Sequence, residues 1–187
     1  EWYRRAADQG SASALCKLGY CLRHGIGVRK NEATGVECYR LAANQENARA
    51  QFKLGCLLQN GIGVPKDEAA GVAWYRRAAH QGDTSAQFKL GYCLQNGIGV
   101  PKDEAAAVEW YRRAADKGDA HAQTNLGYCL QNGVGVPKNE AAGVEWYRRA
   151  TKLENAQAQY NTGVCLSRGI GVRKDEAAGV EWYRRAA

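Results

Sequence analysis

The sequence predicts an all-α solenoid built from helix–turn–helix repeats, with about eleven helices. The chain has 187 residues and matches itself at an offset of 36, so that the block LQNGIGVPKDEAA occurs identically at 58–70 and 94–106. Each period contains two apolar stripes with helical spacing, separated by a G-x-G-V turn. A strict period between 20 and 50 residues is typical of repeats that stack on their neighbours along one axis.

The third unit, residues 83–118, shows how one repeat is predicted to fold. Ala86, Leu90 and Leu94 follow the spacing of an amphipathic helix over residues 85–96. Gly97 follows this helix and can adopt the left-handed conformation that ends it. Asp103 is suited to cap the N-terminus of a second helix, which then extends to about residue 117.

Two features of the repeat need a physical explanation. A glycine lies in the middle of every first helix, as Gly91 does, although glycine costs about 0.5–1 kcal/mol there relative to alanine. Its recurrence predicts that the partner helix backbone approaches closely at this position. At the end of the second helix, Glu46 and Glu154 replace the glycine of other units. We expect Asn47 and Asn155 to form the cap one residue later, or alternatively the helix end to rearrange and alter the local curvature.

The charge of the chain raises the question of an acidic partner. The formal net charge is +7 and the pI is about 9.1, with much of the excess in Arg-Arg pairs such as Arg112-Arg113. A glutamate lies three or four residues before most pairs, as Glu109 does, which is the spacing of a helical salt bridge. We interpret these residues as a solvated outer face that neutralises itself, with nucleic-acid or polyanion binding as the alternative.

Cysteines give a weak indication of the compartment. Four of the seven cysteines, Cys21, Cys93, Cys129 and Cys165, share one repeat position on the packed stripe. Equivalent positions in neighbouring units are about 8–10 Å apart, too far for a disulfide, so we expect buried thiols. An odd cysteine count without pairing within repeats slightly favours a reducing, cytoplasmic location.

The sequence carries no motif for catalysis or for membrane insertion. There is no HExxH, Cys-x-x-Cys or G-x-S-x-G motif, and the G-x-G-V turns lack the strand that precedes a phosphate loop. No apolar run reaches the roughly 18 residues that a membrane span needs. We therefore expect no enzymatic activity, no cofactor, no metal and no membrane contact.

The repeat pattern resembles a known family. The spacing A-x-x-x-L-G-x-x-L-x-x-G-x-G-V-x-x-[DN]-x-x-x-x-x-x-W-Y-x-x-A-A is similar to the Sel1-like repeat, a relative of the tetratricopeptide repeat, and covers essentially the whole chain. The resemblance implies a right-handed α-solenoid whose first helices line a concave groove. It also implies non-catalytic scaffold or adaptor work. Some family members link helices by a disulfide in each repeat, but the last turn of the second helix here reads Ala78-Ala79 with no partner cysteine after it.

The resemblance also fixes the repeat boundaries that we expect. Residues 1–187 would form a single array with a partial unit at 1–10 and units at about 11–46, 47–82, 83–118, 119–154 and 155–187. The sequence EWYRRAA occurs at both ends, so the array begins and ends at the same phase of the repeat. We expect a piece of a longer array, whose uncapped ends could associate head to tail.

Tetratricopeptide-like geometry selects the residues that should face the groove. Aromatic rings would provide apolar anchors for an extended peptide, and amides or guanidinium groups would hydrogen-bond its backbone. The predicted partner-binding residues are Tyr20, Phe52, Phe88, Tyr92, Tyr128, Tyr160, Gln59, Gln95, Gln131, Arg23 and Arg168. The leading hypothesis is a module that binds a protein or peptide. Polyanion binding through the arginines and purely architectural end-to-end stacking are the alternatives.

Overall fold

The computed structural model describes residues 2–187, and within this range the chain forms eleven α-helices and no β-strand. The helices are α1 (Trp2–Asp8), α2 (Ala12–His24), α3 (Glu32–Asn44), α4 (Ala48–Asn60), α5 (Glu68–His80), α6 (Thr84–Asn96), α7 (Glu104–Asp116), α8 (Ala120–Asn132), α9 (Glu140–Thr151), α10 (Ala156–Arg168) and α11 (Glu176–Ala186). Even-numbered helices are the first helices of the repeats, and odd-numbered helices are the second helices. The predicted number and type of elements are therefore confirmed.

The helices form two compact units, and the boundary follows Pro101. In the N-terminal unit, residues 2–101, α2 packs on α3 and α4 packs on α5, while α3 also contacts the following first helix, α4. In the C-terminal unit, residues 102–187, α8 packs on α9 and α10 packs on α11, while α9 contacts α10. Both units therefore use the same two kinds of helix contact, one within a repeat and one between successive repeats.

The ends of the helices follow the predicted capping pattern. Gly97 adopts a left-handed conformation (φ 69°) after α6, and the Asp103 side chain accepts a hydrogen bond from the backbone N–H of Ala106 at the start of α7. The same two arrangements recur in the other repeats. The first helices also have polar N-caps, for which the sequence analysis made no prediction: Ser11, Asn47, Asp83, Asp119 and Asn155.

The mid-helix glycines permit close contact between the two helices of a repeat, as predicted. A Cβ atom on Gly55 would lie 2.7 Å from the ring of Tyr75 and 2.9 Å from the carbonyl oxygen of Gly71. In the C-terminal unit, a Cβ on Gly127 would lie 2.8 Å from the ring of Tyr147. These distances leave no room for a side chain, so the backbone cost of glycine is offset by the packing of a buried tyrosine.

The second glycine of the G-x-G-V turn packs against the second helix of the preceding repeat. Gly27 and Gly63 have the same backbone conformation, with φ 66° at both. A Cβ on Gly63 would lie 2.8 Å from the carbonyl carbon of Glu32, whereas a Cβ on Gly27 would meet nothing within 4 Å in the described residues. Gly135 and Glu104 repeat the Gly63 contact in the C-terminal unit. Glycine is thus required there by both its left-handed conformation and its contact with the preceding second helix.

The expectation of a shifted cap after α3 and α9 is wrong. Glu46 and Glu154 themselves adopt the left-handed conformation, with φ 60° and 56°. Asn47 and Asn155 have ordinary φ values of −74° and cap the following helices α4 and α10. The left-handed residue therefore keeps its place in both repeats, although α9 ends one residue earlier than α3, and the glutamate adopts a conformation that favours glycine.

Tertiary contacts hold Glu46 in this conformation. Its carboxylate accepts a hydrogen bond from Gln51 (2.9 Å) and one from Gln81 (3.2 Å), and it pairs with Arg77. The Gln51 hydrogen bond and the Arg77 guanidinium together hold the pKa of the Glu46 carboxyl below its usual value. By contrast, the Glu154 side chain forms no hydrogen bond or ion pair with any of the described residues.

The repeated cysteines are thiols, and three of them are fully buried. Cys93, Cys129 and Cys165 are 0% exposed, as predicted from their place on the packed stripe. Burial raises the pKa of Cys129 and Cys165 to about 11. Cys21 differs, because it is only half-buried in the first repeat.

Candidate partner-binding face

Four of the predicted tyrosines lie exposed on the first helices. Tyr20 (49% exposed) and Tyr92 (41%) belong to the N-terminal unit, and Tyr128 (49%) and Tyr160 (51%) belong to the C-terminal unit. We call the surface of α2, α4 and α6 that carries the first two the N-terminal face, and the surface of α8 and α10 that carries the others the C-terminal face. Exposed rings on rigid helices provide large apolar contacts at a small entropic cost.

The two predicted phenylalanines are only half-buried and sit beside these faces. The ring of Phe52 packs against that of Tyr75 at 5.9 Å between centroids, and the ring of Phe88 lies 6.5 Å from that of Tyr92. Phe52 therefore contributes to the contact between two helices of one repeat while keeping part of its ring accessible. Phe88 extends the apolar surface next to Tyr92.

The predicted glutamine row is used inside the repeats. Gln59 accepts a hydrogen bond from the Tyr75 hydroxyl (3.0 Å), and its amide donates to the Cys93 sulfur (3.3 Å). Gln131 accepts a hydrogen bond from the Tyr147 hydroxyl at 2.9 Å. These two amide oxygens are therefore already engaged by buried tyrosine hydroxyls, and a contact of either amide with a partner backbone stays a prediction.

The remaining residues of this row and its neighbours behave differently from one another. Gln95 is half-buried and already interacts within the protein, so it offers no free amide. Arg23 replaces glutamine in the first repeat, where burial raises the pKa of Tyr39 to about 12 and the Arg23 guanidinium acts in the opposite direction. Arg168 is exposed at the end of α10, where a cation also complements the helix dipole.

A row of lysines next to the tyrosines was missed by the sequence analysis. One position of the first helix, directly before Leu18 in the first repeat, is lysine throughout the N-terminal unit: Lys17, Lys53 and Lys89. In the C-terminal unit, the same repeat position is held by Asn125 and Asn161. The Lys53 ammonium lies 5.4 Å from the centre of the Phe52 ring, and the Lys89 ammonium lies 5.9 Å from that of Tyr92. Aligning the repeats reveals this change from lysine to asparagine, so the signal was present in the sequence.

A cavity of about 510 Å³ opens on the N-terminal face between α1, α2 and α4. Its lining residues are Tyr3, Ser13, Cys16, Lys17, Tyr20, Cys21, Ile26, Tyr39, Asn47, Arg49 and Lys53. Three of these side chains are cationic and none is acidic. Burial raises the pKa of the Cys16 thiol, while Arg49, Lys53 and Lys17 act in the opposite direction. The cavity is therefore apolar in its walls and positive in its field.

The C-terminal unit has a second cavity with a different character. This cavity of about 480 Å³ lies between α10 and α11 and is lined by Ala156, Gln157, Tyr160, Tyr183, Ala186 and Ala187. Its lining contains no charged side chain within the described residues. The rings of Tyr160 and Tyr183 lie 5.6 Å apart and form its aromatic wall.

The arginine pairs on the second helices are largely engaged by their own helix. The second arginine of a pair stacks on the tryptophan three residues earlier, for example Arg113 on Trp110 at 4.6 Å and Arg149 on Trp146 at 4.4 Å. The first arginine approaches a glutamate, as Arg184 does to Glu181 at 2.7 Å. These contacts agree with the interpretation of a solvated, self-neutralising face.

The described residues show no grouping of three or more His, Cys, Asp or Glu side chains that could hold a metal ion. None of the helices in residues 2–187 is both long enough and apolar enough to cross a membrane. The exposed tyrosines and the lysines beside them offer contacts of charge and aromatic surface.

The fold and the two faces define the chain as an α-solenoid repeat protein of helix–turn–helix units. The family model named Sel1 repeat matches residues 1–11, 12–47, 48–83, 84–119, 120–155 and 156–187. The chain belongs to the Sel1 repeat family. Proteins of this family generally serve as protein-interaction scaffolds and are typically non-catalytic.

Solved structures support this assignment. A Sel1 repeat protein from Oxalobacter formigenes is 34% identical with a TM-score of 0.92, over 95% of this chain and 71% of that one. A protective antigen of uropathogenic Escherichia coli strains, which displays an SLR fold, is 35% identical with a TM-score of 0.94, over 99% of this chain and 40% of that one. The chain thus spans less than half of the antigen.

More distant structures share the fold alone. The cysteine rich protein B of Helicobacter pylori is 24% identical with a TM-score of 0.54, over 70% of this chain and 94% of that one. A comparison with curated proteins finds no match.

Proposed function

We propose that the protein is a non-catalytic interaction module that binds an extended segment of a partner protein on the faces of its first helices. The observation that carries this proposal is the exposure of four tyrosines on the first helices, Tyr20 and Tyr92 on the N-terminal face and Tyr128 and Tyr160 on the C-terminal face. The first helices bury most of their other large apolar side chains. The four exposed tyrosine rings are therefore not needed for packing within the repeat. Tyrosine is also among the residues that contribute most to binding energy at interfaces.

The glutamines support this proposal by a route other than the one predicted. Through their amide oxygens, Gln59 and Gln131 hold the buried Tyr75 and Tyr147 against the first helices. This fixes the surface that carries the exposed rings, and a surface that is already ordered loses less entropy on binding. The partner would therefore contact the tyrosines, with Phe52, Phe88 and Arg168 at the margins.

Polyanion binding through the arginine pairs receives less support. The arginines stack on tryptophan or approach glutamate, as Arg113 and Arg184 do. A nucleic-acid site would have to break these contacts or share the cations with them. We therefore retain a protein or peptide as the proposed partner class.

Selection of peptides from a random library against the 187-residue chain tests this proposal. Binding of the selected peptides should weaken about ten-fold or more when Tyr92 is replaced by alanine, because a buried anchor ring contributes upwards of about 1 kcal/mol. Leu41→Ala is the matched control, since Leu41 is 53% exposed but lies on a second helix. Peptides that lose affinity with Leu41→Ala and keep it with Tyr92→Ala would refute the assignment of the face.

A further inference from the structure

We infer that the cavity on the N-terminal face binds an acidic segment of the partner protein. This inference rests on the proposed function and adds the chemistry of the partner. Lys17, Arg49 and Lys53 line the cavity, and its lining contains no aspartate or glutamate from the described residues. Carboxylates supplied by a partner would complement this charge.

The three cations have no internal acidic partner. In residues 2–187, none of them lies within 4 Å of a carboxylate oxygen, whereas the lysines of the turns are paired, for example Lys66 with Glu68 at 2.6 Å. Lysine and arginine in the cavity are thus available for charges that come from outside.

The walls of the cavity restrict the kind of acidic segment that fits. On the side of the cavity between α2 and α4, Tyr20 is 49% exposed and lies with the buried Cys16 and Tyr39 in the lining. A volume of about 510 Å³ is within the range of sites that enclose a few side chains. The segment should therefore present apolar or aromatic side chains between its carboxylates.

The lysine row suggests the spacing of these carboxylates. Lys17, Lys53 and Lys89 hold one repeat position in three successive first helices of the same unit. The Gln59 amide of α4 reaches the Cys93 sulfur of α6 at 3.3 Å, so these first helices are neighbours. Neighbouring helices are separated by roughly 10 Å, and an extended chain advances about 3.3–3.6 Å per residue. Acidic residues at every third position would thus meet successive lysines.

Charge distribution favours an acidic peptide over a nucleic acid. A nucleic acid requires a continuous track of cations along its backbone. The lysine row does not continue in the C-terminal unit, where Asn125 and Asn161 take its place. Three cations around an apolar cavity are better matched to a short acidic and aromatic segment.

Fluorescence anisotropy with a labelled peptide of about twelve residues tests the inference. The probe carries aspartate at every third position with leucine and tyrosine between, and a second peptide carries asparagine in place of every aspartate. The aspartate peptide should bind the wild-type chain about ten-fold more tightly than the asparagine peptide. The double variant Lys17→Glu plus Lys53→Glu should abolish that difference.

The matched control is Lys152→Glu plus Arg173→Glu, which makes the same change in net charge at exposed positions of the C-terminal unit. It should leave the affinity for the aspartate peptide within about two-fold of wild type. Circular dichroism establishes that both double variants remain helical. Equal losses in the two double variants would reduce the effect to net charge and overturn the inference.

Three further results would also overturn it, and they separate it from the proposed function. In the first, both peptides bind equally, and this binding is lost with Tyr20→Ala but not with Lys17→Glu plus Lys53→Glu. That result would support a peptide-binding face but show that it has no preference for acidic peptides. Failure of the aspartate peptide to bind would reject the acidic partner, while the library-selected peptides still decide the proposed function. A single-stranded oligonucleotide that binds more tightly than the aspartate peptide, and is lost with the lysine variant, would assign the cavity to nucleic acid.

Discussion

The N-terminal and C-terminal units share one scaffold but present different surfaces. Gly55 and Gly127 occupy the same place against a buried tyrosine, with nearly identical distances. In contrast, Lys53 of the N-terminal face corresponds to Asn125 and Asn161 of the C-terminal face. The comparison shows that the repeat fixes the residues that pack and leaves the charge of the first-helix surface free to differ.

The two cavities express this difference most clearly. The N-terminal cavity is lined by Lys17, Arg49 and Lys53, whereas the lining of the C-terminal cavity has no charged side chain in the described residues. Both cavities have tyrosine walls. We therefore expect the two units to contact different parts of a partner, with the acidic part at the N-terminal face.

The largest expected effect tests the scaffold that the units share. Gly63→Ala in the N-terminal unit and Gly135→Ala in the C-terminal unit should each lower the free energy of unfolding by about 3 kcal/mol, because a Cβ would collide with the preceding second helix. Gly27→Ala should cost only about 1 kcal/mol, since it keeps the left-handed conformation but meets no neighbour. Urea denaturation measures all three. An equal loss of unfolding free energy in Gly27→Ala and Gly63→Ala would show that the contact of Gly63 with the preceding second helix does not limit the side chain at this position.

The buried thiols should make the stability depend on alkaline pH. The pKa of Cys165 is about 11 in the folded protein against an ordinary value of 9.0, because burial disfavours the thiolate and Glu140 adds to the effect. Between these values the thiol has lost its proton in the unfolded chain but keeps it in the folded chain. The contribution of Cys165 to the free energy of unfolding is therefore fully present below about pH 9 and is lost as the pH rises towards 11.

Replacing this thiol should remove its part of the alkaline loss. Cys165→Val should reduce the fall in stability between pH 9 and pH 11 by roughly 2 kcal/mol. Cys16→Val should have a smaller effect, because Arg49, Lys53 and Lys17 oppose the burial of Cys16. Urea midpoints at several pH values give the comparison. An equal or larger effect of Cys16→Val would contradict the difference in field between the two units.

Transfer of the lysine row should transfer the preference for acidic peptides. In a chain that already carries Lys17→Glu plus Lys53→Glu, Asn125→Lys plus Asn161→Lys should raise the affinity for the aspartate peptide by about ten-fold, or about 1.4 kcal/mol, by giving the C-terminal face the cations of its counterpart. Asn125→Gln plus Asn161→Gln is the control, since it lengthens the side chains without adding charge. Anisotropy titrations provide the measurement, and an unchanged affinity of the lysine variant would show that the tyrosines alone define the face.

The smallest effect distinguishes the two glutamates in left-handed conformation. Glu154→Gly should stabilise the protein by about 1 kcal/mol, because glycine relieves the strain and the Glu154 side chain makes no hydrogen bond or ion pair in the described residues. Glu46→Gly should give no such gain, since it removes the contacts with Gln51 and Arg77. Thermal unfolding of the two variants compares them. Equal stabilisation would show that the Glu46 contacts contribute nothing.

The sequence predicted those features that depend on local geometry and repetition. Gly97 ends a helix, Asp103 caps one and Gly55 allows the partner helix backbone to approach closely, and each follows from a pattern that recurs every 36 residues. Glu46 was misjudged because its stabilisation comes from Arg77 and Gln81 of the next repeat, which no local rule includes.

The surface was harder to predict for the same physical reason. Glutamine is usually a polar surface residue, and only the distance between Gln59 and Tyr75 shows that the Gln59 side chain accepts a hydrogen bond within the repeat. The lysines were overlooked because the assumed geometry assigned their position to neither the core nor the groove. Their importance depends on Arg49, which comes from a different repeat position and joins them only in the folded cavity.

Photo-crosslinking tests the central claim most directly. A benzophenone amino acid is introduced at Tyr92 on the N-terminal face or at Leu41 on a second helix, both of which are exposed. The library-selected peptides and the aspartate peptide are then irradiated with each protein. The account predicts crosslinks from position 92 and none above background from position 41. Crosslinks from position 41 with none from position 92 would contradict it.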